Sequence, residues 1–233
     1  MSPTKTHSSK DNLQVLYEDN HLIVVNKRPG DIVQGDKTGD MPLSEVVKEY
    51  IAEKYNKPGA VFLGVVHRLD RPTSGIVVFA RTSKALARLN KMFSARETEK
   101  IYWAIVKNTP SQLEATLVHY LKRNPKQNKS YAHNKEVPDS KKAILHYKVL
   151  KQLKNYCLLE IVLETGRHHQ IRSQLSAIGS PIKGDLKYGF DRSNADGSIH
   201  LHAKKLTLVH PVLKEEMVFE TSTLDDPIWN ACS

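Results

Sequence analysis

The chain has 233 residues, 39% apolar and 26% charged, which allows one large domain or two small ones with a sizeable core. No apolar run approaches the roughly 20 residues of a membrane helix, and the polar start MSPTKTHSSKDN lacks a secretory h-region, so a helical membrane protein is excluded and a cytoplasmic location is expected. Two distant cysteines, Cys157 and Cys232, make neither a disulfide framework nor a zinc site, while 35 Lys plus Arg against 25 Asp plus Glu give a net charge of +10, which favours a polyanionic partner.

Residues 1–12 read as a frayed tail, and no linker divides 13–233. Val15 to Lys27 predicts a hairpin, with Asp19 and Asn20 as turn formers between two apolar runs. A Gly- and Asp-rich loop follows. The stretch LSEVVKEYIAEKYN predicts a helix capped by Ser44, with Val46, Val47, Tyr50 and Ile51 on one face. In VVHRLDRPTSGIVVFART, Pro72 and Gly75 mark a turn and Ile76 to Ala80 a buried strand, so Asp70 sits on a loop feeding a rigid element, between Arg68 and Arg71. The next helix, TSKALARLNKMFS, is capped by Thr82 or Ser83, with Leu86, Leu89 and Phe93 inward. Glu99 to Lys107 alternates as a strand, with Tyr102 on the face opposite Ile101 and Trp103.

From His119 to Lys142 the chain is polar and basic, and a linker, a mobile RNA-facing flap and a solvated loop all fit. Two strands, AILHYKVLKQ and YCLLEIVLET, come next. The stretch HHQIRSQLSAIG predicts a helix, with Ile171, Leu175 and Ile178 on one face and Gly179 as its stop. GSPIKGDLKYG is turn chemistry, and IHLHAKKLTLVHP and EMVFET finish the chain as strands. Many strands with a few helices predict an α+β or mixed α/β fold.

Two constellations carry chemistry. Asp70 is a loop carboxylate between arginines; a surface ion pair explains it, as does a functional group displayed on a rigid base. In ETGRHHQIR, Gly166 permits a tight turn into a helix whose free N–H groups, with Arg167 and Arg172, suit an anion; a solvated strand-turn-helix joint is the alternative. No metal site is read from His168, His169, His200 and His202, because no Cys or Glu at ligand spacing completes one.

Taken together, GVVHRLDRPTSGIVVFART, EKIYWAIVKN, LETGRHHQIRSQLSAIGSPIKGDLKYG, LHAKKLTLVHP and VLYEDNHLIVVNKRPGDIVQ resemble, in order and spacing, the signatures of the RluA-type family of RNA pseudouridine synthases, from about Val15 to Phe219. The resemblance implies an α+β catalytic domain over 13–233, with a bent, mixed, mostly antiparallel sheet, flanking helices and a central basic cleft. It implies Asp70 as the catalytic carboxylate, Tyr102 against the target base and Arg172 as the cation paired with Asp70. Arg68 would fill the gap left by a flipped uridine, and His67, Arg167 and Gln170 would contact substrate. Structured RNA, transfer or ribosomal, is the implied partner, bound by a monomer with no metal, no cofactor and no obligate protein partner. One departure stands out: His168 occupies a position where the family usually has Thr or Ser.

Overall fold

The computed structural model describes residues 7–36 and 38–232. The chain forms two compact units, Met1–Glu99 with Ala203–Thr223, and Lys100–His202 with Leu224–Ser233. Among the described residues their elements are strands, antiparallel wherever the pairing register is defined, and four α-helices, which is the expected α+β class.

In the first unit, β1 (Val15–Glu18) and β2 (Leu22–Lys27) form the expected hairpin. Asp19 closes it by accepting the amides of His21 at 2.7 Å and Leu22 at 2.8 Å, a local bond that makes Asp a turn former. Strand β2 pairs with β4 (Ser74–Ala80), and β3 (Gly64–Val65) pairs with the end of β4. Strand β10 (Leu201–Val209) lies beside β4 and pairs in turn with β11 (Glu216–Glu220). Leu22, Val24, Ile76, Val78 and Ala80 pack with Leu206, Leu208 and Phe219 and with Ala85, Leu89 and Met92 of α2 (Ser83–Ala95). Ile23, Val25, Val77 and Phe79, which alternate with them, are buried too, so β2 and β4 read as unbroken apolar runs. The Thr82 hydroxyl accepts the Ala85 amide at 3.1 Å and caps α2 as expected.

Helix α1 (Leu43–Lys54) starts one residue before the predicted cap. Pro42 stands at the N-cap, and Ser44 is buried inside the first turn. Backbone supplies what a side-chain cap would have supplied: the Leu43 and Ser44 amides reach the carbonyls of Ile32 and Val33 at 2.7 and 3.2 Å. The segment expected to fray is held in its second half, because Asp31 accepts from the Ser8 hydroxyl at 2.6 Å and the Ser8 amide at 3.1 Å. Residues 1–6 lie outside the described residues.

In the second unit the strand order is β5 (Glu99–Val106), β9 (Cys157–Leu163), β8 (Lys141–Gln152), β6 (Glu114–Asn124) and β7 (Lys129–His133). The basic stretch from His119 to Lys142 is therefore neither linker nor loop for most of its length. It is half of β6, the turn 125–128, β7, a loop over 134–140 and the first residues of β8, with Tyr120 opposite His133 and Asn124 opposite Lys129. His119 and Leu121 point inward, while Arg123 and Lys126 are exposed. His119, Leu121 and Arg123 share one face of β6, which is buried at His119 and Leu121 and opens to solvent at Arg123, where the hairpin reaches its turn. Helix α3 (Gln170–Ala177) is followed by Gly179 at φ +80°, the expected stop. Short helix α4 (Pro227–Cys232) packs Trp229 and Cys232 against Ile105 and Leu158.

Candidate active site

Asp70 belongs to the first unit and is half-buried in a turn that the Thr73 amide closes on the Asp70 carbonyl at 3.0 Å. Three supports hold that turn. Gly30 donates its amide to the Arg71 carbonyl at 2.8 Å. Lys27, at the end of β2, points its ammonium into the interior and donates to the carbonyls of Arg28 (2.9 Å), Arg71 (3.1 Å) and Thr73 (2.7 Å). Arg71 turns away to Asp40 at 2.6 Å and to the Thr38 hydroxyl at 2.8 Å. After the turn, Gly75 takes φ +113°, and a Cβ there would lie 2.4 Å from the Ala203 carbonyl oxygen, so only glycine fits.

Lys27 is 1% exposed. Burial pushes its ammonium down to about 7, while the carboxylates of Asp31 and Asp70 pull the other way. That attraction is mutual, so when protonated Lys27 sets a positive charge beside the Asp70 turn. His67, expected against substrate, is tied to the fold of the first unit. Its Nε2 accepts the Val78 amide of β4 at 3.1 Å, and its ring stacks on Phe93 of α2 at 4.9 Å. Arg68, two residues before Asp70, is exposed.

The second unit holds the other candidates. Tyr102 lies on β5 opposite Ile161 of β9 and is 9% exposed. Arg172 lies in α3 and is 5% exposed. Its Nε and one terminal nitrogen meet the two carboxylate oxygens of Asp185 at 2.7 and 2.9 Å, a bidentate pair with both partners buried. The guanidinium also lies 5.0 Å from the centre of the Tyr188 ring. A buried charge of this kind persists only with such a partner.

The turn before α3 is built from side chains. Gln170, expected against substrate, is 3% exposed and braces the turn: its Oε1 accepts from the Thr165 hydroxyl (2.7 Å) and the Arg167 amide (3.0 Å), and its amide nitrogen donates to the Ile144 carbonyl (3.0 Å). Arg167 is half-buried and donates to the Lys142 carbonyl at 3.1 Å. The left-handed residue of this turn is His169 at φ +52°, not Gly166. His200 and His202 go to the C-terminal packing, where His200 bonds Asp226 at 3.0 Å and both rings lie against Trp229.

Sequence reasoning missed Lys27, Asp185 and Tyr188. A lysine ending an apolar strand ordinarily carries its charge to water, and Asp185 reads as turn chemistry between Gly184 and Leu186. The available signal was that all three lie within the segments of the resemblance.

The family described as RNA pseudouridylate synthase matches this chain over residues 21–177. The chain belongs to that family. An uncharacterised RNA pseudouridine synthase of Synechocystis is 33% identical over 207 residues, 87% of this chain and 63% of the relative. Ribosomal large subunit pseudouridine synthase D of Zymomonas mobilis is 34% identical over 226 residues, 92% of this chain and 70% of the relative. The chain thus spans about two thirds of the length of these two pseudouridine synthase family members. Among solved structures, human RNA Pseudouridylate Synthase Domain Containing 4 superposes with a TM-score of 0.76 over 93% of this chain and 90% of its own, at 24% identity, which carries the fold.

Proposed function

We propose that the chain is an RNA pseudouridine synthase that isomerises uridines in structured RNA, transfer or ribosomal, with 13–233 acting as one catalytic domain. The observation that carries this reading is the Asp70 turn: a half-buried carboxylate, fixed through its neighbours' carbonyls beside a buried ammonium. The reaction breaks the bond from uracil N1 to ribose C1′, turns the base and joins C5 to C1′; the C5 proton is lost and N1 gains one. Atoms and oxidation state balance, so no cofactor is needed. Asp70 attacks C1′ or takes a ribose proton to give a glycal, and both routes require its ionised form. Arg172, braced by Asp185, is the cation that favours this form.

The target base leaves its stack at a cost of a few kcal/mol. Tyr102 stacks on the flipped uracil and returns part of that, at about 1–3 kcal/mol per base. Arg68 fills the vacated place, and Arg167 contacts the RNA backbone. The net charge of +10 supports a polyanionic substrate. The enzyme acts as a cytoplasmic monomer. Among the described residues no helix is long and apolar enough to cross a membrane.

Pseudouridine mapping of total RNA from cells with and without this protein tests the reading. The expected result is loss of one or a few sites in the deletion strain, and recovery of those sites on unmodified transcripts treated with purified protein, at unchanged RNA mass. An identical map, or release of free base or cut RNA, overturns it.

A further inference from the structure

The His168 side chain joins two elements of the second unit. His168 precedes α3 in the second unit, and its ring reaches the β6–β7 hairpin. Nδ1 lies 2.9 Å from the Ser130 hydroxyl, and Nε2 lies 3.1 Å from Oδ1 of Asn128. Oδ1 accepts only, so Nε2 carries a proton; a neutral ring then accepts the Ser130 hydroxyl proton at Nδ1. Asn128 is the left-handed residue of the turn, at φ +46°, and Ser130 is in β7.

Other bonds converge on the same few residues. The Ser130 amide donates to the Tyr188 phenol oxygen at 2.8 Å, and His169 Nδ1 meets that oxygen at 2.9 Å. Lys187 donates to the carbonyls of Gln127 and Asn128 at 3.3 and 3.1 Å. The Tyr188 ring has Lys129 within 5.1 Å and Arg172 within 5.0 Å of its centre. An unbroken set of contacts thus runs from the hairpin turn to Arg172. The rings of His168 and His169 stack at 3.8 Å, which stiffens the junction.

The hairpin presents cations. Arg123 is the next-to-last residue of β6 and Lys126 sits in the turn; both are exposed, and neither has a carboxylate within ion-pair distance among the described residues. Among the described residues β7 pairs with β6 alone, and beyond Leu121 β6 has no β8 partner, so the tip from Lys122 to Tyr131 is a two-stranded ribbon, an arrangement that is marginal in water by itself. Without a tie, its turn would have to be ordered each time a ligand bound, which weakens binding.

We infer that His168 is a positioning residue that locks the β6–β7 turn to the start of α3, so that Arg123 and Lys126 meet RNA phosphates from a fixed place relative to Arg172. This rests on the reading of RNA as substrate. It predicts that loss of the histidine acts like loss of the two cations it positions.

The test measures binding of a uridine-containing stem–loop RNA across a salt series for the wild type, R123A/K126A, H168A, H168Q and the triple variant, with thermal melting of each. R123A/K126A should weaken binding about tenfold and flatten the plot of log affinity against log salt by about one to two. H168A should reproduce at least half of that loss with little change in melting, the triple variant should add less than the sum, and H168Q, which keeps a donor and an acceptor, should restore part. Wild-type affinity and slope in H168A, or full additivity in the triple variant, overturn the inference. Uridine conversion by the wild type is scored separately, so failure of the enzymatic reading is not confused with failure of the lock.

Discussion

In the first unit, the acid proposed for the chemistry sits in a turn whose neighbouring carbonyls converge on one buried ammonium. In the second, the proposed cation is held by side chains: Asp185 grips the guanidinium, and Tyr188 lies beside it. A carboxylate on a short side chain takes its direction from its backbone, so the backbone is what the fold secures. A guanidinium on a long side chain is free unless its tip is gripped. Damage to the two supports should therefore differ in kind.

Asp185→Asn should have the largest effect on stability, about 3–5 kcal/mol, because it removes the charge that a buried guanidinium meets with two of its nitrogens. Chemical denaturation measures this, and a loss below about 1 kcal/mol would show that Arg172 does not depend on the pair. Lys27→Met should cost about 2–3 kcal/mol by leaving buried carbonyls without donors. Its penalty should also depend on pH. The folded protein gives up the Lys27 proton near 7, while the unfolded chain keeps it to near the ordinary lysine value of 10.5. Wild-type stability therefore gains with rising pH above about 7, a gain that Lys27→Met lacks, so the gap between the two widens from about pH 6 to about pH 9. A gap that stays flat would mean that burial does not depress Lys27. Tyr102→Phe should have the smallest effect, costing no more than about 1 kcal/mol of RNA affinity because the stacking ring remains. Abolished binding would put the hydroxyl, not the ring, at the centre of its role.

The same contrast explains what was legible in the sequence. Local patterns with a local cause were readable: the Asp19 turn, the Thr82 cap, the apolar runs of β2 and β4, and the stop at Gly179. The cap of α1 was not, because distant carbonyls at Ile32 and Val33 satisfy its amides and leave Ser44 nothing to do. The β6–β7 hairpin was hidden by its charges, since a hairpin tip rich in Lys and Arg has the composition of a solvated loop. Asp70 and Arg172 stood out through the resemblance, but Lys27 and Asp185 did not, because their roles exist only once distant segments meet.

The most direct test of the proposed chemistry separates binding from conversion in Asp70→Asn. The variant keeps the size of the side chain and removes its charge. With single-turnover conversion and RNA affinity measured on one unmodified transcript that carries the target uridine, conversion should fall by at least about a thousandfold while affinity stays within about threefold of wild type. Conversion by Asp70→Asn near the wild-type rate would contradict the assignment of Asp70 as the catalytic carboxylate.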